Sequence, residues 1–201
     1  FGARTRWANF FHGFFLFIAM LLMIPVIELI PNTALAAMLI YVGYNLAAPK
    51  EFIKTYKTGK AQLVIFIVTI AVTIATDLLV GIASGIIVKF IIHFINGATL
   101  KSLFKAHYEL SETDGKYNFT VQDPAIFSNL IGFKKAFKTF QSGKEVTIDF
   151  SNAKLVDHTF MEFLENFEAE YHRSGGKVII NGFDKFELFS DHPLSGRKIR
   201  K

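Results

Sequence analysis

The sequence has no cysteine, and only one tryptophan and five prolines among 201 residues. Without cysteine there can be no disulfide, no thiolate metal site and no cysteine nucleophile. Charged residues are also scarce, at 19% against about 25% in soluble domains. Two stretches, 32–48 and 61–76, hold no Asp, Glu, Lys, Arg or His at all. These uncharged runs exclude a homogeneous soluble globular domain.

Hydrophobic residues make up 51% of the chain, and they are concentrated in its first half. From Lys101 onward a charged side chain recurs every few positions. We therefore predict transmembrane helices over residues 1–98 and a soluble domain with a polar C-terminal tail over residues 99–201. The tail contains Ser190-Asp191-His192-Pro193 and Arg197-Lys198, and we expect it to extend from the fold. Because the first residue is Phe1 and not methionine, we expect the chain to be a fragment of a longer protein.

Four apolar stretches divide the first half: residues 9–30, 33–48, 61–76 and 78–95. A helix needs about 20 residues to cross a hydrocarbon core of about 30 Å. Only the first stretch reaches that length comfortably, so we expect the shorter ones to pack inside a larger bundle. Joining the last two into one helix would place Asp77 near the bilayer centre. A hairpin with Asp77 at its turn is therefore predicted.

Basic residues are distributed unevenly among the connections between these stretches. The turns near Glu28 and Asp77 contain no Lys or Arg, whereas the N-terminal segment, the central linker and the C-terminal exit do. The positive-inside rule then predicts four crossings with the soluble half in the cytoplasm. The basic residues are Arg4, Arg6, Lys50, Lys54, Lys57, Lys60, Lys101 and Lys105.

The fourth stretch contains small and polar residues with two interpretations each. Gly81 and Gly85 are four residues apart, as are two alanines of the third stretch, and this spacing is typical of closely packed helices. The alternative is that small residues are simply common in membrane helices. Lys89 and His93 could line an ion pathway, but snorkelling toward the headgroups is the favoured interpretation.

The second half alternates short strands with amphipathic helices. Strands are predicted at 116–121, 145–150 and 177–181, and helices at 127–140 and 159–173. This β-α-β-α-β order predicts a small sheet with parallel strand pairs. The apolar face of the first helix has Leu130, Phe133, Phe137 and Phe140, and that of the second has Phe160, Phe163, Leu164, Phe167 and Tyr171. The polar face of the first helix has Lys134, Lys135 and Lys138, and that of the second has Glu162, Glu165 and Glu168. We assign the lysine face to solvent or anionic lipid and not to nucleic acid.

The turn Asp157-His158-Thr159 joins a strand region to a helix N-terminus. Exposed amide groups at such a turn attract anions or phosphate. The simpler interpretation is capping, by Asp157 or by Thr159 with Glu162 in a capping box; a regulatory contact or phosphorylation site is the alternative. A metal site that combines Asp157-His158 with Asp191-His192 is disfavoured, because nothing in the sequence holds the pairs together.

Several motifs of both halves occur together in one known family. In the membrane half they are Gly2-Ala3-Arg4-Thr5-Arg6, His12-Gly13, Ile30-Pro31 and the helix with Gly81 and Gly85. In the soluble half they are Ile126-Phe127-Ser128-Asn129, Val146-Thr147-Ile148-Asp149-Phe150 and Val156-Asp157-His158-Thr159. These motifs resemble the SulP inorganic anion transporters (sulfate permease or bicarbonate transporter type) and their C-terminal STAS domain. The order of membrane hairpins followed by a STAS-like domain covers nearly the whole chain.

The resemblance implies a multi-pass α-helical membrane segment of about four helices, the last part of an inverted-repeat transporter of about fourteen, followed by a small α/β STAS domain. It places the anion site upstream of Phe1, so no substrate residue is assigned here. Some STAS domains place a phosphorylatable serine directly after the aspartate of the loop. His158 occupies that position, so serine phosphorylation there is excluded. Thr159 is a conceivable substitute acceptor, but its capping role argues against it.

The resemblance implies transport of sulfate or bicarbonate by a secondary transporter in the cell (inner) membrane, with Na⁺ or H⁺ as a coupling ion and no other cofactor. The expected partners are the anion, the lipid bilayer, a second copy in a homodimer and a cytoplasmic protein bound by the STAS domain; no nucleic acid is expected. A membrane-anchored STAS regulatory module without transport is the alternative. An enzyme is not predicted, because the sequence has no P-loop or nucleophile motif.

Overall fold

A computed structural model describes residues 6–200, without the side chains at positions 6, 26, 27 and 46. The chain divides into two compact units, Phe1–Ala48 and Pro49–Lys201. Arg4 and most of the Gly2-Ala3-Arg4-Thr5-Arg6 motif lie outside the described residues. The predicted boundary between residues 98 and 99 stays a prediction, since the helices of residues 49–98 belong to the same compact unit as the α/β domain.

The first unit consists of two apolar helices. Helix α1 spans Arg6–Ile27 and helix α2 spans Asn32–Leu46, which confirms the first two predicted helical stretches. Within α1, Trp7–Pro25 is long and apolar enough to cross a membrane, with a mean hydropathy of 1.9 over 19 residues. Most described side chains of both helices are exposed within the unit. Lipid or further protein must therefore cover this apolar surface.

The second unit begins with three helices. They are α3 (Pro49–Thr58), α4 (Lys60–Ala75) and α5 (Leu78–Ile95). Helix α5 is also long and apolar enough to cross a membrane, with a mean hydropathy of 2.3, whereas α4 is apolar but shorter. Asp77 accepts hydrogen bonds from the backbone of Leu79 and Val80 and so caps α5. The predicted break at Asp77 is confirmed.

Helices α4 and α5 pack closely through the two glycines of α5. A Cβ atom at Gly81 would collide with Thr73, and one at Gly85 would collide with the Thr69 hydroxyl. The close-packing interpretation is therefore confirmed for the glycines, which face threonines of α4. The Thr69 hydroxyl donates to the carbonyl of Ile65 at 2.8 Å, so its polar group is satisfied within its own helix.

Substituting Gly85→Ala should therefore lower the free energy of unfolding by about 1 kcal/mol or more through overpacking. In Gly85→Ala/Thr69→Ala the colliding hydroxyl is gone, and most of the loss should be recovered because the Thr69 Cβ lies 3.4 Å from where the new Cβ would be. Thermal unfolding followed by circular dichroism measures both variants. Gly43→Ala is the matched control, because nothing lies within 4 Å of the Cβ that it would add; an equal loss in Gly43→Ala would contradict the packing explanation.

The linker between the second and third apolar stretches is the helix α3, which the sequence shows only as a basic connection. Its inward side is partly buried, and Phe52 packs edge-on against Phe66 of α4 with ring centroids 4.9 Å apart. Its lysines remain exposed. The helix is short and its basic residues dilute the apolar pattern, so periodicity alone does not reveal it.

After the short helix α6 (Leu100–Phe104), the chain forms an α/β domain. Strands β1 (His107–Thr113), β2 (Lys116–Gln122), β3 (Glu145–Asn152) and β5 (Lys177–Asn181) form one sheet in the order β1-β2-β3-β5. The β2–β3 and β3–β5 pairs are parallel, as the β-α-β-α-β pattern predicts. Strand β1, which the sequence pattern does not predict, pairs antiparallel with β2.

Helices α7 (Leu130–Phe137) and α8 (His158–Arg173) cover the sheet. Helix α7 is shorter at both ends than predicted, but its predicted apolar positions are buried. The largest fully buried side chains belong to four phenylalanines, Phe119, Phe133, Phe150 and Phe160. Burying each one contributes about 1.5–3 kcal/mol. Gly175 ends α8 with a φ of 83°, the left-handed stop that its sequence predicts.

A second, small sheet contains the end of the chain. Strand β7 (Arg197–Ile199) lies between β4 (Leu155–Val156) and β6 (Phe186–Leu188), antiparallel to both. The prediction that a polar tail extends from the fold is therefore wrong for this segment. Two of the tail's polar residues are placed by this packing: the Arg197 guanidinium lies 4.4 Å above the Phe183 ring, and Ser195 is buried. Burial lowers the pKa of Arg197 from its usual value.

Candidate functional site

Asp157 occupies the N-cap position of α8, directly after strand β4. Its extended backbone turns the chain from the strand into the helix, and its Oδ1 accepts a hydrogen bond of 2.8 Å from the amide of Phe160. The residue is almost fully buried, at 3% exposure. A buried carboxylate needs several donors to replace its lost hydration. The capping role of Asp157 is confirmed.

The other carboxylate oxygen of Asp157 holds the loop before α7. Oδ2 accepts from the amide of Phe127 at 3.1 Å. The backbone of Ala125 reinforces this connection, because its amide donates to Leu155 and its carbonyl accepts from Asp157. One side chain thus fixes the relative positions of the N-terminus of α8 and the loop that leads into α7.

Two side chains of α5 complete the surroundings of Asp157. Lys89 Nζ lies 3.3 Å from Oδ2, donates to Thr159 Oγ1 at 2.8 Å and sits 4.2 Å above the ring of Phe127. His93 Nε2 lies 3.5 Å from the same Oδ2. Lys89 and His93 are four residues apart and therefore share one face of the helix. We call Asp157, Lys89, His93, Thr159 and Phe127 the junction.

The junction is largely shielded from water. The side chain of Lys89 is 15% exposed and that of Asp157 is 4% exposed. Desolvation makes such an ion pair costly to form and more costly still to break on one side only. The ion pair therefore disfavours placements of α5 in which Lys89 is separated from Asp157 while both side chains stay buried.

A small apolar cluster and a buried asparagine support the junction from the side of α6. Ala98, Leu103, Ile126 and Leu155 are buried together, with Phe90 of α5 packed against them. Asn129 donates from Nδ2 to the carbonyls of Ser102 and Pro124 and accepts from the amide of Ile126. The connection from α5 to the α/β domain is therefore well defined. Sequence reasoning named Asn129 only as part of a motif and missed its structural role. The one sequence signal that could have indicated this role is a polar residue directly before an apolar helix.

The structure changes the interpretation of three predicted residues. Lys89 and His93 contact Asp157, so the snorkelling prediction is wrong for both within this unit. Helix α8 begins at His158, one residue earlier than predicted, so Thr159 is not an N-cap and the Thr159–Glu162 capping box is wrong. Thr159 instead accepts the hydrogen bond from Lys89. Its use as a phosphate acceptor stays a prediction.

His158 lies beside the junction and faces the C-terminal segment. Its Nδ1 is 2.7 Å from the carbonyl of Leu194, and its ring centroid is 6.2 Å from that of His192. The two Asp-His pairs are therefore near each other, although the sequence gives no reason for it. Among residues 6–200, no group of three or more side chains is arranged to hold a metal ion.

Comparison with protein families gives one match. Residues 1–69 match the model of the sulfate permease family. This segment includes α1, α2, α3 and the first part of α4. No match is found among curated protein sequences.

Several solved structures are similar over part of the chain. A STAS domain of an antisigma-factor antagonist from Rhodobacter sphaeroides is 20% identical, covers 45% of this chain and 98% of its own, with a TM-score of 0.33. A structure of SLC26A9 is 17% identical, with coverage of 67% and 26% and a TM-score of 0.33. The murine Slc26a9 anion transporter, inward-facing, is 14% identical, with coverage of 68% and 24% and a TM-score of 0.32. The chain spans about a quarter of the length of the two transporter chains.

Proposed function

We propose, from the match of residues 1–69 to the model of the sulfate permease family, that this chain is part of a secondary active transporter of an inorganic anion. Residues 99–201 are proposed to form a STAS domain that assembles or regulates the transporter. The observation that carries the regulatory part is the buried junction, in which the last apolar helix presents Lys89 and His93 to Asp157.

The proposed topology has four crossings, by α1, α2, α4 and α5, in the cell (inner) membrane. Two of these helices are long and apolar enough for it, and the capped break at Asp77 supports a hairpin. The lysines of α3 and the exit after α5 favour a cytoplasmic position for both. The STAS domain is then cytoplasmic, and the junction lies at the inner membrane surface.

We propose that the junction couples the transporter's movement to its cytoplasmic domain. The loop of Asp157, His158 and Thr159 is the regulatory element in this scheme. A shift of α5 that separates Lys89 from Asp157 would leave two poorly hydrated charges unpaired. The junction therefore favours two discrete arrangements, made or broken, over a continuous range. Such bistable contacts are what transmits a signal between distant sites.

The proposed substrate is sulfate or bicarbonate, with Na⁺ or H⁺ as the coupling ion, and its binding site is expected in residues that precede this chain. Formation of a homodimer and binding of a cytoplasmic protein are proposed for the STAS domain, whose exposed Glu162 and Glu165 offer an acidic contact surface. The proposal includes no enzymatic reaction and no nucleic-acid ligand.

Radiolabelled uptake by the full-length protein in liposomes tests this proposal. We expect saturable uptake of either sulfate or bicarbonate, changed by removal of Na⁺ or by an imposed pH gradient. Folded, reconstituted protein that moves neither anion above empty liposomes would contradict the proposed transport function.

The same assay tests the coupling role of the junction. Lys89→Gln should lower the maximal uptake rate by about 3-fold to 30-fold and leave the KM for the anion unchanged, because coupling residues contribute energy without touching the ligand. Lys154→Gln is the control, since that side chain is 63% exposed and lies in the same compact unit, outside the junction. A changed KM with an unchanged maximal rate would contradict a role confined to coupling.

A membrane-anchored STAS module without transport is the second candidate. The apolar side chains around the junction, which tie the domain to α5, suit either candidate. The uptake assay separates them, because a pure regulatory module gives no flux. Deleting residues 105–201 would then abolish partner binding only, whereas in a transporter the deletion should change flux or oligomeric state.

A further inference from the structure

A cavity of about 480 Å³ opens between the membrane-side helices and the C-terminal loop of the second unit. The end of α3 and the start of α4 form one wall, and residues 189–193 form the other. Cavities of 300–1,000 Å³ are typical of small-molecule sites. The lining side chains are Tyr56, Lys57, Lys60, Ser190, Asp191 and His192, with Phe189 and Pro193.

The loop wall is held in place by its own hydrogen bonds. Ser190 Oγ donates to the carbonyl of Thr58 at 2.8 Å, which ties the loop to the last residue of α3. His192 Nδ1 accepts from the amide of Leu194 at 3.1 Å. The imidazole is thereby oriented with Nε2 still available for a ligand. The cavity is preorganised and does not depend on the ligand to form.

The chemistry of the lining suits an anion that carries hydroxyl or phosphoryl oxygens. Lys57 and Lys60 supply two ammonium groups against the single carboxylate of Asp191, and none of these three forms a salt bridge within the described part of the chain. Tyr56 and His192 add further hydrogen-bond donors. Lysine is a frequent phosphate ligand because its ammonium binds as a mobile point charge.

Helix α3, which forms one wall, is amphipathic in the way of interfacial helices. Lys50, Lys54 and Lys57 lie along one side. Ile53 and Tyr56 are 57% and 55% exposed on the neighbouring side. A short helix with exposed apolar residues beside a row of lysines is suited to the boundary between headgroups and acyl chains. The apolar helix α4 starts at Lys60, at the rim of the cavity.

We propose that this cavity binds the phosphate headgroup of an anionic membrane lipid, with Lys57 and Lys60 on the phosphate and the acyl chains alongside Ile53 and Tyr56. The proposal rests on the cytoplasmic membrane placement of α3 given above. The exposed apolar side chains favour a lipid over a soluble phosphate ester, since a free phosphate would leave Ile53 and Tyr56 in water. Bound lipid would then link α3 to the loop next to His158 and the junction.

Native mass spectrometry of the detergent-extracted full-length protein, with added phosphatidylglycerol or phosphatidylcholine, tests this site. We expect a saturable phosphatidylglycerol adduct that exceeds the phosphatidylcholine adduct. Lys57→Ala/Lys60→Ala should weaken phosphatidylglycerol binding by about 30-fold, from two lysine contacts at the membrane surface. Lys154→Ala/Lys185→Ala, which removes two exposed lysines of the α/β domain that do not line the cavity, should bind as the wild type does.

Three results would overturn the proposal: equal binding of both lipids, unchanged binding in Lys57→Ala/Lys60→Ala, or an equal loss in the control variant. Displacement of the adduct by inorganic phosphate or glycerol phosphate at millimolar concentration would instead assign the site to a soluble phosphate and contradict the lipid. Lipid binding is measured independently of anion transport. A protein that binds phosphatidylglycerol as expected but transports no anion would retain this site and lose the proposed function.

Discussion

Replacing Asp157 with alanine is expected to lower the free energy of unfolding of the α/β domain by about 3–5 kcal/mol, the cost of leaving a buried ion-pair partner alone. The variant loses the N-cap bond to Phe160 and the bond to the amide of Phe127. It also strands the ammonium of Lys89, which is only 15% exposed. Thermal unfolding followed by circular dichroism should show a Tm lower by about 12 °C or more, since each kcal/mol lowers the Tm of a domain of about 100 residues by about 4 °C or more.

Two further variants separate the charge of Asp157 from its hydrogen bonds. Asp157→Asn keeps an oxygen for the cap and should lose less stability than Asp157→Ala. Adding Lys89→Met to Asp157→Asn removes the unpaired ammonium, so the double variant should be more stable than Asp157→Asn alone. A Tm of Asp157→Ala within about 1 °C of the wild type, or no recovery in the double variant, would contradict the described junction.

Replacing Asn129 with alanine has the second-largest expected effect. Asn129 is 2% exposed, and its amide satisfies the carbonyls of Ser102 and Pro124 and the amide of Ile126. Removing it leaves three buried backbone groups without this partner, and each buried unsatisfied group costs about 1–3 kcal/mol. We expect a loss of about 3 kcal/mol or more, with faster hydrogen exchange in α6.

Asn166 provides the matched control for this prediction. Its side chain also donates to a backbone carbonyl, that of Glu162, but it does so on the exposed side of α8. Asn166→Ala should change stability by less than about 0.5 kcal/mol. Similar losses in both variants would show that burial does not set the cost. Unchanged exchange in α6 of Asn129→Ala would contradict its role in holding that helix.

The secondary structure of the α/β domain was largely predictable because its signals are local. The strand at 177–181 matches its prediction to the residue, and the stripe that includes Phe160 and Leu164 is buried as its spacing indicates. Strands β1, β6 and β7 were missed, and β4 was expected only as a strand region before Asp157. Strand β1 is exposed along nearly its whole length, and the other three have only two or three residues, so their side chains carry little periodicity. Tertiary pairing determines these strands.

Some residues of the candidate site could also be predicted from sequence, and others could not. A carboxylate before an amphipathic helix predicts an N-cap, so Asp157 could be found from sequence. Its partners could not, because Lys89 lies far earlier in the chain and on a helix whose composition favours lipid. Only folding of the chain brings α5 against the loop, and burial then makes the ion pair specific.

For this protein, the sequence alone determined the apolar helices, their break at Asp77 and the alternation of strands and helices, because each depends on neighbours within a few turns. The tertiary structure decided what Lys89 and His93 contact, where the end of the chain pairs, and which lysines border a cavity. Those outcomes depend on residues far apart in sequence, and on the burial that fixes the partners of a charge.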